Sequence, residues 1–156
     1  GEDLLLNYSN YNVFLDKAKI KSKGLNVHEV KQNFKDFLQK QEFIKRVYTE
    51  EEVANANPND YYLNFVSKGY DPIQNGELVV TFKPGYVEYS ATGTTHGSPY
   101  AYDTHVPLIF FGWNIPKGQT HDRKEITQIA PTVTQLLQIT MPNSSDGKVL
   151  LEVLNK

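Results

Sequence analysis

The chain has 156 residues, 39% of them hydrophobic, which suits one folded domain over residues 1–156 and is too apolar for a disordered chain. A formal net charge of −2 argues against the basic face that polymeric nucleic acid requires, and the lack of cysteine excludes disulfides and thiolate metal sites. No run approaches the length of a membrane span, and no signal peptide is visible.

In chain order, "YNVFLD" (Tyr11–Asp16) alternates apolar and polar residues and reads as a short strand. "NVHEVKQNFKDFLQKQ" reads as a helix. Val27, Val30, Phe34, Phe37 and Leu38 recur at spacings of three and four and form one apolar stripe. Asn26 is its N-cap, and Glu29 follows three residues on. Phe43–Thr49 reads as a strand, and "TEEEVANA" as a short helix capped by Thr49. A helix from about Asp60 to Ser67 stops near Gly69.

A strand is centred on Leu78–Phe82 and interrupted by Pro84-Gly85; Asn75-Gly76 before it fits a hairpin turn. Val106–Phe111 is apolar on both faces, the pattern of a strand in a sheet covered on both sides. "EITQIAPTVTQLLQI" reads as a helix with apolar positions Ile126, Ile129, Val133, Leu136 and Leu137. Pro131 makes it start near Ala130 or kink there. Residues 143–147 form a loop, and "KVLLEVL" closes the chain. Strands alternating with helices define an α/β pattern. Many of the ten Tyr should sit half-buried, ring inward and hydroxyl outward.

Chemistry points to the histidines. His28 lies off the apolar stripe of its helix and His121 in a polar loop, so both read as solvated. His96 is set in "TGTTHGS", small residues that let a backbone bend and pass close to a ligand, and neutral imidazole is a good zinc ligand. His105, nine residues on, reads as a loop-holding residue, and Asp103 is a partner for orienting either imidazole. No G-x-S-x-G elbow and no phosphate-cradling glycine loop occurs.

Three motifs carry a resemblance. "GTTHGSPYAYDTHVPLIFFG" holds the pattern T-H-G-S-x-x-x-Y-D-x-H-V-P-L running into an apolar run. Ile126, Thr127, Ile129, Ala130, Pro131, Thr132, Leu136 and Leu137 carry the pattern I-T-x-I-A-P-T-x-x-x-L-L. Pro142, Gly147, Leu150, Glu152 and Val153 carry a terminal pattern. Together these resemble the C-terminal part of the alkaline phosphatase superfamily, in the bacterial phosphatase branch related to nucleotide pyrophosphatases/phosphodiesterases; sulfatase and phosphoglycerate-mutase-like relatives rank lower.

The resemblance implies a fold: the C-terminal portion of an alkaline-phosphatase-like sandwich, with helices packed on a mixed sheet. It also implies a hydrolase of phosphate esters with two zinc ions, which bind the phosphoryl group and activate a Thr or Ser nucleophile. The His of T-H-G-S is a zinc ligand in that pattern, so the ligand role falls on His96; no metal role is carried to His105, and no catalytic nucleophile to any residue here. The D-H-G element of the family is absent from the sequence.

The expectation is therefore a C-terminal fragment, inactive alone and binding zinc weakly, from a periplasmic or cell-surface parent. Such a fragment exposes a surface through which copies can dimerise. The competing reading is a small non-catalytic α/β binding module in which both loop histidines are structural.

Overall fold

A computed structural model describes residues 3–88, 92, 96–112 and 114–154. The chain divides into two compact units, residues 1–105 and 106–156.

The first unit is built on a four-stranded sheet in the order β1-β2-β4-β3, with β1 Leu5–Ser9, β2 Asn12–Leu15, β3 Ile44–Thr49 and β4 Leu78–Phe82. All three strand pairs are antiparallel. The expected α/β class holds, with an antiparallel sheet among the described residues. Successive side chains of a strand point to opposite faces, and both faces of the central strands are apolar. Leu78, Val80 and Val47 face one core with Val13, Leu15, Ile20, Val30 and Ile44. Val79 and Tyr48 face the other with Val53 and Leu63.

Helices cover both faces. α1 (Lys17–Ser22) and α2 (Val27–Gln39) supply Ile20 and Val30 to the first core. α3 (Glu50–Ala54) and α4 (Tyr61–Lys68) supply Val53 and Leu63 to the second. Each helix starts where a side chain takes an orphan backbone N–H. Asp16 accepts from Lys19 N at 2.8 Å, Asn26 from His28 N at 2.8 Å and Asp60 from Leu63 N at 3.0 Å. Thr49 and Glu52 form a reciprocal capping box at α3.

The structure changes four sequence expectations in this unit. β1 and α1 are additional elements. Phe37 is exposed rather than core: it stands at a cavity of about 510 Å³ between α2 and the sheet, lined also by Leu5, Phe34, Phe43 and Tyr86. Asn75-Gly76 is no hairpin turn, because α4 precedes it and β4 pairs with β2 and β3. Instead Asn75 Nδ2 and Gly76 N both donate to Asn12 Oδ1, at 3.0 and 3.1 Å.

In the second unit, Val106–Phe111 is not the expected buried strand. It has no ladder partner among the described residues, and a strand covered on both faces needs one for each backbone edge. Ile109 is 79% exposed and Phe111 fully so. A 3₁₀ turn, Ile126–Gln128, leads into α6 (Ile129–Leu137). Pro131 lies in the first turn, where its missing N–H costs nothing, so the helix does not break.

The expected apolar stripe of α6 is also turned outward in part. Ile126, Val133 and Leu137 are exposed, while Pro131, Thr132 and Thr134 are buried. Thr132 explains the inversion: its Oγ1 donates to Gln128 O at 2.6 Å and accepts from Leu150 N at 2.9 Å, so the polar face holds the turn before α7 (Leu151–Leu154).

Candidate functional site

The segment holding His96 begins beyond β4 and ends in α5 (Ala101–Thr104). Gly93, Thr94 and Thr95 of the T-H-G-S motif lie outside the described residues. His96 is exposed. Tyr100 anchors the segment to the sheet: its ring is buried and its hydroxyl donates to Phe82 O at the end of β4, at 2.6 Å. Burial raises the Tyr100 phenol, with Tyr62 and Tyr102 adding to it, so this donor stays protonated. Its ring meets Tyr62 of α4 edge-on, with centroids 5.5 Å apart.

Asp103 closes the loop on itself. Its Oδ2 accepts from Ser98 N at 3.0 Å, closing the turn two residues after His96. His105 is exposed and caps α5, its backbone N–H donating to Ala101 O at 2.9 Å. His28 and His121 are exposed, as read from the sequence.

Two tyrosines were not singled out in the sequence. Tyr100 could have been found as the aromatic inside the motif that has no polar neighbour to solvate it. Tyr11 sits in the two-residue turn joining β1 to β2, far along the chain from His96. Its hydroxyl donates to His96 O at 3.5 Å, and its ring lies against Gly97. Gly97 has φ +119°, and a Cβ there would lie 3.0 Å from Tyr11 Cε2, so both backbone and space demand glycine.

The arrangement offers one exposed imidazole on a loop braced by Tyr11, Tyr100 and Asp103. Among the described residues, no group of three or more His, Asp or Glu side chains converges on a metal-sized space. A tetrahedral zinc needs three or four protein ligands. Among the described residues, His96 is the imidazole set in the small-residue motif, and it stands exposed. Geometry thus defines an α/β protein with an exposed histidine on a loop tied to the sheet by Tyr100 and touched by Tyr11.

Comparison narrows the class. No family model matches the chain. The whole chain is 30% identical to alkaline phosphatase PafA of Elizabethkingia meningoseptica, over 29% of that protein. It is also 30% identical to a protein named calcium-transporting ATPase from Myroides odoratus, over 28% of it. It is 29% identical to alkaline phosphatase PhoV of Synechococcus elongatus, over 26%. The crystal structure of wild-type PafA superposes on 99% of this chain and 30% of its own, with a TM-score of 0.89. The chain belongs to the alkaline phosphatase superfamily. It spans somewhat under a third of the length of the curated relatives it matches.

Proposed function

We propose that this chain is the C-terminal part of a zinc-dependent phosphoric ester hydrolase, a phosphomonoesterase or phosphodiesterase, and that His96 is one of its zinc ligands. One observation carries the reading: an exposed imidazole on a loop tied by Tyr100 to the end of β4, closed by Asp103 and touched by Tyr11, in a chain related throughout its length to alkaline phosphatases. Rigid support is what a ligand needs, because metal affinity depends on how well each donor is held in place.

Zinc bound in such a centre polarises the phosphoryl group and activates the attacking hydroxyl. The chain's own part is narrower. Tyr100 and Asp103 hold the loop, and His96 would present an imidazole nitrogen to a metal whose other ligands come from the rest of the parent protein. The parent acts on phosphate esters and resides in the periplasm or at the cell surface. No helix among the described residues is long and apolar enough to cross a membrane.

Two assays test this. Highly purified chain, incubated with 4-nitrophenyl phosphate and zinc, should give no hydrolysis that a chelator removes; such activity would overturn the claim that this part lacks a complete centre. In the full-length gene product, His96→Ala should lower bound zinc per chain by mass spectrometry and reduce hydrolysis by roughly 100-fold. Unchanged zinc content and rate would remove His96 from the centre.

A further inference from the structure

The turn between β1 and β2 is unusual in its residues. Asn10 has φ +48° and Tyr11 φ +63°, both left-handed, and Ser9 pairs with Asn12 across the turn. This is the two-residue hairpin geometry that matches strand twist, and its second position ordinarily holds glycine. Asparagine tolerates the left-handed region, but a tyrosine there is strained. Strain of this kind persists where the surroundings over-determine it.

The surroundings of Tyr11 are specific. Its ring meets Phe82 of β4 edge-on, with centroids 5.3 Å apart at 90°. The other side of the ring system reaches Gly97 and His96 O, as described above. Phe82 is also the residue whose carbonyl holds Tyr100. Tyr11 and Tyr100 therefore grip the His96 segment from two elements that share one anchor, the end of β4. A glycine at position 11 would relax the turn and leave the segment without its wall.

We propose that Tyr11 is a positioning residue for His96, held in a strained turn so that its ring walls Gly97 and its hydroxyl takes the His96 carbonyl. The assignment of a metal to His96 rests on the function proposed above; the bracing of the loop does not. Three measurements on wild type, Tyr11→Gly and Tyr11→Phe test it. Hydrogen exchange of the Ser98 amide, by NMR on the 156-residue chain, should speed up about tenfold in Tyr11→Gly and return most of the way in Tyr11→Phe, which keeps the ring.

The melting temperature of Tyr11→Gly should stay within about 3 °C of wild type, because relief of the turn offsets the lost ring contact. In the full-length gene product, zinc affinity should fall about tenfold in Tyr11→Gly. Unchanged Ser98 exchange, or faster exchange that merely tracks a general loss of stability across the sheet amides, would overturn the positioning role. Faster local exchange with zinc affinity unmoved by both Tyr11→Gly and His96→Ala would keep Tyr11 as the brace and refute His96 as the ligand.

Discussion

Thr132 and Gly147 show how motif residues hold the backbone of the second unit together. Thr132 is fully buried and bridges Gln128 O and Leu150 N. Thr132→Val keeps the volume and strands the Leu150 N–H, so it should destabilise the second unit by about 1–3 kcal/mol, read from denaturant midpoints. A Cβ on Gly147 would lie 1.9 Å from Thr127 O, a backbone atom that cannot swing away. Gly147→Ala should therefore cost about 2 kcal/mol or more in the same experiment.

Neither residue announces this role in the sequence. A threonine inside a helical pattern reads as neutral: its bond to Gln128 O is local, and the one that matters, from Leu150 N, exists only once α6 meets the turn there. The candidate site divides in the same way. His96 was legible because its small-residue setting and the surrounding motif are local. Tyr11 was not, because its contact with Gly97 is made across the fold and nothing nearby in sequence marks it. Asp103 was visible as a partner, and its Oδ2 accepts from the Ser98 amide.

At the scale of elements, the ionic contact between α2 and α3 shows what holds helices on a sheet. Lys31 is buried on α2, and its Nζ reaches Glu50 at 2.9 Å and Glu51 at 2.5 Å. Burial pushes the Glu51 carboxyl up, but the bond from Lys31, its own backbone N–H and the Thr49 hydroxyl outweigh it and hold it at about 2. A carboxyl depressed in the fold contributes stability that is present above its unfolded value of 4.5 and is lost as pH falls toward 2. The melting temperature should be nearly flat from pH 7 to 5 and fall below about pH 4.5. Lys31→Met should flatten that fall and lower stability at pH 7 by about 1–3 kcal/mol, because it leaves Glu50 half-buried without its cation.

Elements with their own start signals were readable. Asn26, Thr49 and Asp60 each stand directly before the apolar periodicity of their helix, and each caps it. β1 was hidden because every one of its residues is exposed, so no alternation marks it. α1 was hidden because its six residues bury only Ile20. The two-faced apolar pattern misled at Val106–Phe111, while the strand expected around Leu78–Phe82 is present. Burial of such a run depends on strands that pair with it, and β4 has β2 and β3 on its two sides.

For the whole molecule, relation to alkaline phosphatases covers the entire chain, while the chain covers 29% of PafA. Apolar side chains at Ile109 and Phe111 stand exposed in the second unit. Exposed apolar runs of this kind associate, so the chain should self-associate with concentration in sedimentation experiments, and Ile109→Lys with Phe111→Lys should shift it toward monomer. A monomer at all concentrations would contradict that expectation.

If His96 is one ligand of a zinc centre completed by the rest of the parent protein, the purified chain should hold zinc poorly. Calorimetric titration of zinc into the purified chain, with His96→Ala beside it, tests this most directly. Binding should be weaker than about 100 μM, or absent, in both proteins, because one imidazole supplies a fraction of the affinity of three or four converging ligands. Tight, stoichiometric binding that disappears in His96→Ala would contradict it, and would mean that residues of this chain complete a metal site around His96.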